Sequence, residues 1–128
     1  TLAQAVPLAG AVIVTTPQAV AVSDARRGLK MFEQLNVPIL GLVENMSYFI
    51  PPDMPDKQYA IFGDGGGEKA AAELGGELIG KVPMEMPVRE GGDKGLPIVL
   101  AAPESASAKA LMTIAQKTAA KISVAALT

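Results

Sequence analysis

The sequence predicts an α/β fold with a mainly parallel sheet, and two observations support this class. Residues 37–43 form an almost unbroken apolar run that ends abruptly at Glu44, Asn45 and Ser47. A short apolar run that stops at a turn signal is typical of a strand buried on both faces of a parallel sheet. In addition, a strand, a helix and a strand follow one another over residues 11–44, which is the order of a βαβ unit with parallel strands.

The first half of the chain supplies this unit. Residues 2–9 indicate the end of a helix and a turn, and the β-branched run at residues 11–14 predicts a buried strand. A helix is predicted over residues 19–35, because apolar side chains recur there at three- and four-residue intervals. The residues of this stripe are Val22, Ala25, Leu29, Phe32 and Leu35. Asn36 ends the helix, and the apolar strand follows.

The middle of the chain contains a predicted loop, a helix and a strand. Three prolines make residues 47–66 a stiff, non-helical loop. The glycines at residues 65–67 lead into a short helix over residues 68–74, which two further glycines end. Residues 77–80 then predict a third strand.

The last third is predicted to be mainly helical. Residues 84–95 indicate a short helical turn that is followed by a glycine-rich loop at 91–95, and residues 96–102 indicate a short extended segment between two prolines. The longest helix is predicted over residues 104–122. Its apolar stripe consists mostly of small residues, namely Ala108, Leu111, Ala115, Thr118 and Ile122. A stripe without Phe or Trp favours contact with a sheet over insertion into a lipid surface.

Composition excludes several kinds of protein. The 128 residues are enough for one domain with a sizeable core, and the net charge of -2 without a basic face argues against a nucleic-acid partner. No apolar run reaches transmembrane length and no signal peptide is visible, so we expect a cytoplasmic protein without membrane attachment. The absence of cysteine and histidine excludes disulfides and thiolate or imidazole metal sites. Because the first residue is Thr, we expect the chain to be cut from a longer one or to be processed.

The glycine-rich segment at residues 65–67 does not form a phosphate loop. That loop needs Gly, four residues, Gly-Lys and then Ser or Thr, whereas Lys69 here follows Glu68 and precedes an alanine. A dinucleotide-binding fingerprint fails as well, because its third glycine would fall on Glu68. We therefore predict no catalytic residue in this chain.

Asn45 is the candidate binding residue that the pattern itself provides. It lies at the carboxyl end of a predicted strand, where ligands bind in open α/β sheets. An Asn at this position also ends strands by capping its own backbone. On the residues alone, both interpretations remain open.

Several motifs together resemble the Mrp/ApbC family of P-loop ATPases, which are iron–sulfur cluster carriers related to MinD and ParA. The matching segments are Val-Glu-Asn-Met-Ser-Tyr-Phe at 43–49, Ile-Phe-Gly-Asp-Gly-Gly-Gly at 61–67, Thr-Thr-Pro-Gln at 15–18, Asp-Ala-Arg-Arg at 24–27 and Ile-Gly-Lys-Val-Pro at 79–83. The resemblance runs from about Leu2 to about Ala120 and covers nearly the whole chain.

The resemblance implies a three-layer P-loop NTPase-like fold, of which residues 1–128 are the C-terminal part and from which the phosphate-loop half is absent. The full-length protein would hydrolyse ATP with Mg²⁺, form a homodimer and deliver clusters to iron–sulfur apoproteins. By resemblance, Asn45 contacts the adenine, and its amide offers the donor and acceptor that suit a purine edge. Val82 and Pro83 would flank the ring.

One departure bears on the metal. The family has Cys-Pro-x-Cys directly after the Ser-Tyr-Phe segment, and here Pro51 and Met54 stand where those cysteines are expected. Proline offers no ligand and Met only a neutral thioether, so we expect the family's cluster site to be absent. The loss of the cysteines favours a MinD/ParA-like regulatory ATPase as an alternative, and the lack of catalytic groups leaves a non-catalytic interaction domain as another.

Overall fold

A computed structural model describes residues 2–127 and shows a three-stranded parallel sheet. The strands are β1 (Ala11–Thr15), β2 (Ile39–Glu44) and β3 (Leu78–Lys81), arranged side by side in chain order. Thr15 lies opposite Glu44, and Glu44 lies opposite Lys81. The carboxyl ends of the three strands therefore meet at one edge of the sheet, and the predicted α/β class is confirmed.

Six helices accompany the strands among the described residues, and those in the first half of the chain lie close to their predicted positions. They are α1 (Leu2–Ala5), α2 (Ala19–Gln34), α3 (Gly66–Leu74), α4 (Met86–Lys94), α5 (Ile98–Ala101) and α6 (Ala106–Leu127). Asn36 has a φ of 57° and follows α2, which confirms that it ends this helix. Gly75 ends α3 in the left-handed conformation, which glycine adopts without steric cost.

Two apolar clusters on opposite faces of the sheet hold the layers together. Leu42 lies in one cluster with Ala25 of α2 and Ala70 of α3. The adjacent Val43 lies in the other cluster, which Ile114 of α6 covers. Successive side chains of a strand point to opposite faces, so the apolar run of β2 before Glu44 is what a sheet covered on both sides requires. The result is the three-layer order that the sequence predicts.

The helical turn predicted within residues 84–95 is present as the start of α4, but the loop predicted at 91–95 and the extended segment predicted at 96–102 are wrong. The glycines at 91 and 92 belong to α4, which continues to Lys94 and ends at the left-handed Gly95. A Cβ on Gly91 would lie 2.3 Å from the carbonyl oxygen of Leu96, so this glycine permits a close backbone approach inside a folded helix. The segment predicted to be extended contains α5, because Pro97 precedes a helical turn and its carbonyl accepts the N–H of Leu100 and Ala101.

The predicted stripe of the last helix is only partly right. Ala108 is buried and Thr118 is half-buried, but Leu111, Ala115 and Ile122 are exposed. The contact with the sheet is made instead by Ala110 and Ile114.

Two lysines explain why apolar spacing missed this face. Lys117 donates from Nζ to the carbonyl oxygen of Ile79 at 3.2 Å, and Lys121 pairs with Glu77. Both amines reach the edge strand β3 or the residue just before it. Long cationic side chains can cover apolar surface with their methylene stems, so a helix face that contains them still contacts the sheet.

The opposite edge of the sheet is formed by β1. Val14 at this edge is 61 % exposed, which is unusual for a β-branched residue in a strand. Within residues 2–127 no helix is long and apolar enough to cross a membrane.

Candidate functional site

The junction after β2 brings Asn45 out of the sheet. Val82 donates its N–H to the carbonyl of Glu44, but the carbonyl of Val82 accepts from Ser47 at 3.0 Å. In a regular parallel ladder residue 46 would be that donor, so one extra residue is inserted here. Met46 takes a φ of 53° to accommodate it. The pairing then resumes between Tyr48 and Met84, at 2.7 Å.

Asn45 does two things at this bulge. Its backbone N–H donates to the carbonyl of Thr15 at 2.7 Å, and its Oδ1 accepts the N–H of Met46 at 2.9 Å. The second bond is the self-capping that Asn provides at strand ends. The half-buried side chain also lines a cavity, so the capping and the binding interpretations are compatible with one position of Asn45.

The cavity measures about 460 Å³ and lies just beyond the carboxyl ends of β2 and β3. Its wall is mostly apolar, with one amide, one carboxylate and one guanidinium. The lining residues are Asn45, Met46, Phe49, Pro83, Met84, Glu85, Met86, Val88 and Arg89. Ligand sites in proteins have this size and character.

The structure brings two of the three sequence-predicted binding residues to this cavity. Asn45 and Pro83 lie on its wall. Val82 does not, because its side chain is 6 % exposed and lies in the apolar cluster with Val43 and Ile79. Val82 contributes backbone bonds that hold the junction, whereas its side chain supports the sheet.

Glu44 is a residue of this region to which the sequence analysis gave no role. Its side chain is 1 % exposed, and its Oε1 accepts the N–H of Gly67 at 2.7 Å. The hydroxyl of Ser47 donates to its Oε2. Gly67 lies in the first turn of α3, whose N-cap Gly65 has no side chain to cap the helix. The carboxylate therefore does the work of an N-cap from a distant strand, where a negative charge is favourable.

A cation whose charge interacts with this carboxylate, that of Lys81, is already paired. Lys81, at the end of β3, forms an ion pair with Glu68 of α3. The hydrogen bond from Lys81 lowers the pKa of the Glu68 carboxyl, and the same bond raises the pKa of Lys81. Lys81 also lines a small polar cavity of about 250 Å³ with Ser47 and Asp64. Because its charge is compensated, this second cavity is not an open anion site.

The loop that carries positions 51 and 54 is more ordered than an irregular loop. Phe49 and Tyr59 exchange backbone hydrogen bonds of 2.7 and 2.9 Å, which close the loop as an antiparallel pair. At its tip the N–H of Met54 donates to the carbonyl of Pro51 at 3.2 Å, so these two residues are the ends of one turn. Within residues 2–127 no three or more His, Cys, Asp and Glu side chains are grouped to hold a metal ion. The residues present do not fit an iron–sulfur cluster.

Residues 1–119 of the chain match a family model described as the NUBPL iron-transfer P-loop NTPase, of the ParA group. The chain belongs to this family. It is 68 % identical over 127 residues to an iron–sulfur cluster carrier protein of Synechocystis, with 99 % of this chain and 36 % of that protein covered. It is 50 % identical over 115 residues to a mitochondrial iron–sulfur protein of Arabidopsis thaliana that is required for NADH dehydrogenase, with 90 % of this chain and 36 % of that protein covered. The chain thus spans about a third of the length of these relatives.

Solved structures of an ATPase and of a nucleotide-binding protein share the fold of this family member. The cell-division ATPase MinD of Pyrococcus furiosus superimposes with a TM-score of 0.64 at 26 % identity, over 84 % of this chain and 41 % of MinD. A nucleotide-binding protein of Archaeoglobus fulgidus, solved in complex with ADP, gives 0.58 at 34 % identity, over 67 % and 35 %. The P-loop NTPase-like fold predicted from the resemblance is confirmed.

Proposed function

We propose that this chain forms the base-binding wall of an ATPase that takes part in iron–sulfur cluster transfer. The observation that carries the proposal is the apolar cavity beyond β2 and β3, with Asn45 and Pro83 on its wall. Open α/β sheets bind their ligands at this edge. Relatives that are named iron–sulfur cluster carrier proteins support the transfer role over a partitioning role.

The cavity suits the flat, apolar faces and polar edge of adenine. Phe49, Met84 and Val88 offer apolar contact, and the guanidinium of Arg89 lies on the same wall. The Oδ1 of Asn45 is held by Met46, which leaves the amide N–H₂ to donate to a purine nitrogen. A planar base in such a site is bound by contact area and oriented by one or two hydrogen bonds.

The division of labour follows from the residues that this chain contains. A phosphate loop, the ligands of Mg²⁺ and a catalytic carboxylate are proposed to lie outside residues 1–128, in the other part of the P-loop domain. ATP with its Mg²⁺ supplies the phosphoryl group and its charge compensation. The residues described above bind the base, fix its orientation and keep water from its faces.

The wider setting belongs to the same proposal. The complete protein acts as a homodimer in the cytoplasm and delivers clusters to iron–sulfur apoproteins. Residues 47–62 remain a contact for the second subunit or for a protein partner, since Pro51 and Pro52 keep the loop stiff. For the cluster, which is the cargo, the dimer either uses ligands other than positions 51 and 54 or acts on a partner protein that provides them.

Replacing Asn45 tests the base site. In the full-length protein we expect Asn45→Ala to raise KM for ATP about ten-fold and to leave kcat within about two-fold, since a lost hydrogen bond to a non-reacting group costs uniform binding. Discrimination between ATP and GTP should fall as well. Steady-state hydrolysis kinetics measure both effects. The control is Gln116→Ala, which removes an exposed amide from α6. An unchanged KM for Asn45→Ala would contradict the assignment.

Methionine oxidation offers an independent footprint of the same cavity. Met46 and Met86 line it and are 42 % and 47 % exposed, whereas Met31 and Met112 lie elsewhere and are 46 % and 50 % exposed. Peroxide oxidises exposed thioethers to sulfoxides, which mass spectrometry locates.

With ATP and Mg²⁺ bound to the full-length protein, we expect oxidation of Met46 and Met86 to slow about five-fold or more, because the base covers their sulfur atoms. Met31 and Met112 should react at the same rate with and without nucleotide. If nucleotide slows the oxidation of all four methionines equally, or of none of them, the base does not bind in this cavity.

A MinD-like regulatory ATPase is the second candidate. The MinD superposition and the absence of cysteine from the sequence favour it. The two functions differ in one assay. A cluster carrier activates an apoprotein when it is supplied with iron and sulfide, whereas a regulatory ATPase changes only its own association with ATP.

A further inference from the structure

We propose that Glu44 is a positioning residue, which anchors both ends of residues 48–66 and through them sets the wall of the base cavity. The link to the base rests on the function proposed above. The anchor itself rests only on the contacts of a single buried carboxylate.

The two hydrogen-bond partners of Glu44 flank the segment. Ser47 precedes residue 48 and donates its hydroxyl to Oε2, while Gly67 follows residue 66 and donates its backbone N–H to Oε1. A long loop is entropically costly to close, and its closure depends on the contacts at its ends. Here one side chain, 1 % exposed to solvent, makes both contacts.

Local geometry explains why a carboxylate and a glycine occupy these positions. Two oxygens are needed to accept two donors, and the Gly67 N–H belongs to the positive end of α3. A Cβ on Gly67 would lie 2.9 Å from Oε1 of Glu44, closer than side chains approach, so a larger residue here would displace the carboxylate from the helix N-terminus.

The anchored segment reaches the cavity directly. Asn45 and Met46 lie between Glu44 and Ser47 in the chain, and both line the cavity. Phe49, just after the anchored Ser47, lines it too and pairs with Tyr59 across the loop. Without the hydrogen bond from Ser47, Glu44 no longer holds the bulge and the start of the segment together. Asn45 and Phe49 would then move relative to each other.

Ser47→Ala in the full-length protein is the test, because it removes one anchor and keeps the carboxylate bonded to Gly67. We expect amide hydrogen exchange in residues 48–62 of the nucleotide-free protein to speed up about ten-fold. We also expect KM for ATP to rise several-fold while kcat stays within about two-fold, since the affected residues orient a non-reacting base.

Ser105→Ala is a matched control. Ser105 also makes side-chain hydrogen bonds, to the N–H of Ala108 and the carbonyl of Ala102 at the start of α6. Its loss should speed exchange there and leave both the 48–62 region and KM unchanged. Glu44→Gln is the conservative variant. Its amide oxygen can still accept the N–H of Gly67, and its amide N–H₂ can donate to the hydroxyl oxygen of Ser47, so exchange should change less than in Ser47→Ala.

The outcomes separate the anchor from the base site. Faster exchange in residues 48–62 without a change in KM would overturn the positioning role. Unchanged exchange in Ser47→Ala would overturn the anchor itself. If exchange is faster in Ser47→Ala but KM for ATP is unchanged in Asn45→Ala, the anchor stands and the proposed base site is rejected instead.

Discussion

The 128-residue chain alone is expected to bind ATP at least about a hundred-fold more weakly than the full-length protein, a difference of about 2.7 kcal/mol in binding free energy. A charge-assisted hydrogen bond contributes about 1.5–3 kcal/mol, and a phosphate loop provides several of them. The base wall formed by Asn45 and Pro83 contributes contact area and one or two neutral hydrogen bonds. The larger part of the affinity is therefore missing from this chain.

The structure strengthens this expectation at the one place where the chain offers a helix N-terminus after a glycine-rich run. Such termini attract phosphate. At α3, however, Glu44 already accepts the N–H of Gly67, and Glu68 follows in the first turn. A triphosphate would meet two carboxylates there. The glycine-rich segment is consequently a docking point for the protein's own side chain and not a phosphate site.

Calorimetry with ATP and Mg²⁺ on the short and the full-length proteins measures the difference. Circular dichroism must first show that the short chain is folded, because the exposed edge at β1 invites aggregation. Micromolar affinity in the folded short chain would show that a complete nucleotide site lies within residues 1–128.

The sheet and the position of Asn45 could be predicted because local sequence determines them. An apolar run such as residues 37–43 can be satisfied only by burial on both faces, and the abrupt change to Glu44 and Asn45 marks its end. The parallel arrangement of β1 and β2 then follows from the helix between them. The ends of α2 and α3 were predicted within a few residues, because Asn36 and Gly75 adopt left-handed conformations there.

Contacts between distant residues account for most of what the sequence did not show. The bond between Glu44 and Gly67 spans 23 residues, and nothing in either segment specifies the other. The face of α6 was missed for a related reason, since Lys117 reaches a carbonyl 38 residues away. In α4 the glycine at 91 signalled a loop but serves a close helix contact. Each of these depends on the assembled fold.

Pro51→Cys with Met54→Cys is expected to give this turn a stoichiometric cluster site, which the Pro and Met side chains at these positions do not provide. The N–H of Met54 donates to the carbonyl of Pro51 at 3.2 Å, so the two positions are the first and last residues of a turn. Their Cα atoms then lie within about 7 Å, close enough for two thiolates to bind one cluster. Pro51 is buried and cysteine is smaller, so the exchange needs no extra room.

The proposed homodimer would bring four thiolates together, the number that a four-iron cluster takes from protein. Anaerobic reconstitution of the full-length double variant with iron and sulfide, followed by visible absorption and metal analysis, measures the occupancy. Met31→Cys with Met112→Cys is the matched control, because it adds two exposed thiols at positions far apart in sequence. Each single variant should bind the cluster weakly, since its dimer has two thiolates instead of four. If the unsubstituted protein binds a stable cluster, its ligands lie outside the turn, and if the double variant binds none, the turn does not face its counterpart in the dimer.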